Sequence, residues 1–119
     1  MTKPTSILTK LTVVFYTFLG AGHVFAYSPL DCVNDIANFE KEISVGLAAR
    51  LCAATWTPEP VICYKSVGLV DEKINRGTAI DLCAGTVNAE KTVACYAEAG
   101  QRFNRGIATT LCGAKKQEK

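Results

Sequence analysis

The sequence predicts an all-α fold: three stacked antiparallel helical hairpins, a short α-solenoid, stapled by three disulfides. Three observations carry that prediction. The first is a frame written three times. Ile43-Ser44-Val45-Gly46-Leu47-Ala48-Ala49-Arg50-Leu51-Cys52 recurs from Ile74 to Cys83 and again from Phe103 to Cys112, as apolar, Asn or Ser, x, Gly, x, Ala, x, x, Leu, Cys. The second is a shorter frame ahead of the last two copies, where Cys63-Tyr64 through Gly68 matches Cys95-Tyr96 through Gly100. Only Cys32 and its apolar neighbours survive in the first copy. The third is that both frames carry helix punctuation, while no stretch alternates with a two-residue period, so strands are not expected. A period near 30 residues means a stacked array, because each unit buries its apolar face only against a neighbour.

The first element is not part of that array. Lys3 and Lys10 form a basic start, Leu11 to Gly22 an apolar stretch, and Val24-Phe25-Ala26 a small-residue cleavage site. Residues 1–26 are therefore expected to be a signal peptide removed before Tyr27. The run falls short of the roughly 20 apolar residues of a membrane span. Asp31 before Cys32 is incompatible with a lipoprotein signal. The chain is expected to be exported, periplasmic or secreted, with no membrane span after cleavage. Residues 27–119 then form one domain, with units at approximately 28–54, 57–85 and 88–114 and a solvated tail at 115–119.

Each unit starts with a helix A. Ser28-Pro29, Thr57-Pro58-Glu59 and Asn88-Ala89-Glu90 supply a cap followed by proline or a first-turn acid. Gly68 and Gly100 mark the end of this helix or a weak point near it. Helix B follows, with Ser44, Asn75 and Asn104 as N-caps. Ile43 with Ala48, Ile74 with Ala79, and Phe103 with Ala108 have the spacing of a hydrophobic staple. Ala79, Leu82 and Cys83 share one face, and Gly85 and Gly113 sit where helices end.

All six cysteines, Cys32, Cys52, Cys63, Cys83, Cys95 and Cys112, lie beyond the leader. An even count in a small exported domain argues for disulfides. Cys63 and Cys83 are comparably distant from the turn between their helices, which suits a bridge within the hairpin. Cys52 and Cys63 are also equidistant from the turn near Trp56, but bridges 52–63 and 83–95 would strand Cys32 and Cys112 at opposite ends. Pairing 32–52, 63–83 and 95–112 leaves nothing over and is favoured. Disulfide-bearing Sel1-like repeats share the hairpin plan, but their Gly-Tyr-Gly motifs are missing here. The likeness is one of architecture.

Composition narrows function. Of the 13 basic residues Lys3 and Lys10 lie in the leader, so the 11 acidic residues of the remainder meet as many basic ones. The electrostatic case for nucleic acid disappears. The only histidine, His23, is also in the leader. No imidazole is left for a Ser-His or Cys-His pair or a mixed zinc site, so the chain is not expected to be an enzyme and no metal or cofactor is expected. Glu40, Glu42, Asp71 and Glu72 are read as solvated turn charges rather than a carboxylate pair. The cysteines lack the close spacing of metal or redox thiols, and that use is the third reading.

Five residues are candidates for partner binding. Arg76 and Arg105 share one repeat position at the first turn of helix B, where a cation opposes the helix dipole. They could hold a carboxylate or phosphate of a partner. The alternative is an internal salt bridge to Asp71, Glu72 or Asp81, or a plain solvated charge. Tyr64 and Tyr96 recur in register with a cysteine, as packing elements with a wet hydroxyl or as binding residues. Trp56 is either an exposed anchor or a cover for the open end of the core. The expected function is a binding or structural interaction module whose partner is another protein or an anionic ligand, with a homodimer as one form. The alternative is a small secreted effector, toxin or enzyme inhibitor on the same scaffold.

Overall fold

The structure, a computed structural model, describes residues 26–114. The expected signal peptide, apart from Ala26, and the tail at 115–119 lie outside the described residues. Among the described residues there are six α-helices and no strand: α1 Pro29–Phe39, α2 Val45–Cys52, α3 Glu59–Val70, α4 Arg76–Cys83, α5 Ala89–Ala99 and α6 Arg105–Cys112.

The starts follow from the caps. Ser44, Asn75 and Asn104 each accept a hydrogen bond from the amide three residues on, at Leu47, Thr78 and Ile107. Ser28 closes a full capping box with Asp31 behind Pro29, and Asn88 accepts from the Lys91 amide. The α3 start differs from expectation. Pro58 is the cap residue rather than the first helical one, and it carries no side-chain cap bond. Thr57 Oγ1 instead accepts from the amide of Glu59, the first residue of the helix. A second proline at Pro60 is already compatible with the helix start, because amides of the first turn have no intrahelical acceptor to lose.

The helices pack in two ways. Neighbours in sequence pair as α1 with α2, α3 with α4 and α5 with α6, and alternate helices pack as α1–α3–α5 and α2–α4–α6. Disulfides join Cys32 to Cys52, Cys63 to Cys83 and Cys95 to Cys112. This is the pairing that leaves no cysteine over, one bridge to each unit, with Cα atoms 5.5–5.7 Å apart. Ile36, Leu51, Val67, Ile80 and Leu82 fill the core beside the sulfurs. Three disulfides in so small a domain are consistent with an extracellular or periplasmic protein. No described helix is long and apolar enough to cross a membrane.

The ends of helix B show where repeat positions diverge. Gly85 has φ 85°, and its counterpart Ala54 takes the same left-handed conformation at φ 53° without glycine's freedom. Gly113 does not use that freedom, contrary to expectation. It is required by close approach: a Cβ there would meet Thr109 O at 2.9 Å and Asp81 O, on α4, at 3.2 Å.

Because Cys63 and Cys83 are both fully buried, replacing both with Ala is expected to cost about 3 kcal/mol, the entropy released by opening a loop of that length. Chemical denaturation of the variant measures this, and a loss below about 1 kcal/mol would contradict a structural role for the bridge.

Candidate functional site

Four charged side chains sit at the wrong end of their own helices. Glu40 and Asp71 are the C-cap residues of α1 and α3, where negative charge is disfavoured. Arg76 and Arg105 open α4 and α6, where positive charge is disfavoured. Each disfavoured charge meets its opposite. Arg105 grips Asp71 with both arms, Nε to Oδ2 at 2.6 Å and Nη2 to Oδ1 at 2.8 Å, and Arg76 Nε donates to Glu40 Oε2.

A tyrosine completes each clamp. Tyr96 Oη donates to Asp71 Oδ2 at 2.7 Å, and Tyr64 Oη donates to Glu40 Oε1 at 2.6 Å. Asp71 also accepts from the Lys73 amide at 3.2 Å. Its side chain is only 16% exposed, so the four donors replace the water it has lost. In both clamps the carboxylate belongs to one unit and the tyrosine and arginine to the next.

The clamps correct three expectations. Glu40 and Asp71 are not plain solvated turn charges. The hydroxyls of Tyr64 and Tyr96 are bonded to carboxylate rather than left to water. Asp71 is the partner of Arg105, as the internal salt-bridge alternative allowed, but Arg76 takes Glu40, which that alternative did not name. Asp81 pairs instead with Arg50 at 2.7 Å. That pair is 52% and 60% exposed and is worth at most about 1 kcal/mol.

Beside each clamp lies a cleft of about 410 Å³. The two are lined by matching residues: Phe39 and Val70, Tyr64 and Tyr96, Ile74 and Phe103, and the clamp charges, with Gly68 and Gly100 each four residues after its tyrosine. Two of the differences lie at the rim. Lys65 and Leu69 line the first cleft where Ala97 and Gln101 line the second. Leu69, 84% exposed, gives the first rim an apolar side chain where Gln101 gives the second a polar one. Lys65 lies over the Phe39 ring at 5.1 Å, and Phe39 meets Tyr64 edge-on at 6.4 Å between centroids. Gly68 leaves the space open, since a Cβ there would touch nothing within 4 Å.

Of the sequence candidates, four line these clefts and one does not. Trp56 stands in the turn between α2 and α3, 66% exposed, against a smaller hollow with Thr55, Thr86 and Val87. It does not cover the core. The residues missed were Glu40 and Asp71 as clamp acceptors and Gly68 as a lining residue of a cleft. The signal for the two carboxylates was a shared position, each three residues before the isoleucine that precedes the helix B cap.

Among the described residues no group of three or more His, Cys, Asp or Glu is placed to hold a metal ion. Comparison of the chain with protein-family models, with curated proteins and with solved structures gives no match in any of the three.

The clamps predict a pH dependence. The Arg105 guanidinium, with help from Tyr96, holds the Asp71 carboxyl well below the usual carboxylate range against the opposing effect of burial. A carboxylate with a lowered folded pKa contributes stability that is complete above its unfolded value near about 4 and is lost as pH falls toward the folded value. Burial, and then the hydrogen bond to carboxylate, push Tyr64 and Tyr96 up to about 12. Their contribution has the opposite sign: complete below about 10 and lost as pH rises through about 12. Asp71→Asn is expected to be less stable than the parent at neutral pH and to lose less below pH ~4. Parallel stability curves for the two would contradict the clamp.

Proposed function

We propose that the six helices form three antiparallel hairpins stacked in chain order, and that this exported short solenoid works as a binding module rather than an enzyme. The observation that carries the reading is the pair of like-lined clefts, one beside each clamp. A repeated cleft with an apolar rim and a bonded polar base suits two apolar side chains of a partner protein, taken one per cleft. The neighbour-and-alternate packing of the helices, the bridge inside each unit and the clamps between units support the stack. Disulfides and clamps together hold the clefts open before anything binds, which lowers the ordering cost of association.

Export agrees with the basic and apolar leader of the sequence and with cysteines that are all bridged among the described residues. The absence of histidine from 27–119 supports a non-enzymatic role. With Arg76 and Arg105 already engaged by carboxylates, an anion of the partner would have to share them, so a protein with apolar side chains fits the clefts better than a free anionic ligand.

Gly68→Leu tests the reading. The position is exposed, lies inside α3 and has free space, so the variant is expected to fold at least as stably as the parent, helped by about 1 kcal/mol of helix propensity. It should nonetheless block the first cleft. A photoreactive phenylalanine analogue at Leu69 is expected to capture a discrete partner in the exporting cell, and Gly68→Leu should abolish the adduct. No adduct at Leu69, or one unaffected by Gly68→Leu, would overturn the cleft as the binding site.

A further inference from the structure

The repeat makes the two ends of the chain comparable with its interior. Along helix B, Leu51 and Leu82 are fully buried, whereas Leu111, at the same position in the last unit, is 53% exposed. Ile107, one turn earlier, is exposed too. The reverse holds one stripe away. Ile80 and Ala84 of the second unit, and Thr109 and Gly113 of the third, are buried, while the first unit's Ala49 and Ala53 are exposed. Val45, where the later units carry Arg76 and Arg105, is 80% exposed. Position by position, the middle unit has one stripe covered by the next unit and the other by the previous one. The last unit lacks a follower and the first lacks a predecessor.

A terminated array has polar outer faces on its end units. Here α2 and α6 carry exposed aliphatic side chains on their outward sides instead. The polar clamp is absent from both at once: α5 has Gly100 as its C-cap where α1 and α3 have Glu40 and Asp71, and Val33 and Val45 stand where tyrosine and arginine would be. Apposing α6 of one copy to α2 of the next would therefore bring aliphatic side chains together, as in an interior junction without its clamp. We propose that the chain associates head to tail with a second copy of itself, Ile107 and Leu111 of one copy packing on Val45, Ala49 and Ala53 of the next. Such a contact is heterologous and does not close on itself at two copies. The inference rests on the stacked-hairpin reading but not on the clefts.

The test uses the oxidised protein purified from the periplasm of an expression host, with sedimentation velocity over a rising concentration series. The parent is expected to grow past dimer as concentration rises. Leu111→Glu spoils one end and Ala49→Glu the other, each at an exposed position, and circular dichroism checks that the fold persists. Leu111→Ser replaces the former if helicity drops. Each variant alone should remain monomeric. An equimolar mixture should form a one-to-one dimer and stop there, since each partner retains one intact face. A parent that stays monomeric to millimolar concentration overturns the proposal. So does Ala49→Glu alone associating like the parent, which would mean that Leu111 meets Leu111. If association fails while Asp71 and Tyr96 still couple energetically, the end faces are misread and the stack stands.

Discussion

Helices of eight residues do not persist alone in water, where marginal stability begins at about 12–15 residues. Three of the six helices, α2, α4 and α6, have that length, and everything else in the structure answers to this constraint. A side-chain cap starts each of them, a disulfide anchors each C-terminal cysteine to the longer helix of its unit, and a neighbouring helix covers its apolar face. Removing any of the three supports leaves a segment that cannot hold its own shape.

Division of labour follows. Covalent bonds act inside units and polar clamps act between them. The clamp charges look misplaced when each helix is considered singly, since glutamate or aspartate ends one and arginine begins another. Across the junction the same placement brings carboxylate, guanidinium and phenol together at short range, partly shielded from water. Burial of the tyrosines supplies the packing and their hydroxyls supply direction, so a junction built this way has a defined register as well as an apolar contact. The clefts are a consequence. They open beside the clamps because Gly68 and Gly100 leave no side chain to fill the space.

Much of this was legible in the repeated frames. The asparagine and serine caps, the in-unit cysteine pairing and the all-helical class all follow from local spacing, and local spacing is where sequence is most direct. Arg76, Arg105, Tyr64 and Tyr96 stood out because they recur. Their acceptors did not, for a physical reason: Glu40 and Asp71 lie a full unit earlier in the chain, differ in side-chain length, and have glycine as their third counterpart. Only the stacking of helices brings the partners together. The start of α3 was misplaced by one residue because two prolines compete there, and Gly113 was given a conformational role when proximity to α4 explains it. Trp56 has no repeat counterpart of its kind, so nothing in the pattern could say whether it faced inward or out.

The central claim is that a carboxylate of one unit and a tyrosine of the next hold the junction together. A double-mutant cycle on Asp71→Asn and Tyr96→Phe measures it directly, by chemical denaturation of the parent, both single variants and the pair. The clamp predicts that the two losses are not additive, with a coupling of about 1 kcal/mol or more for a hydrogen bond to a shielded carboxylate. Losses that add to within the few tenths typical of independent sites would show that the junction is held by apolar packing alone.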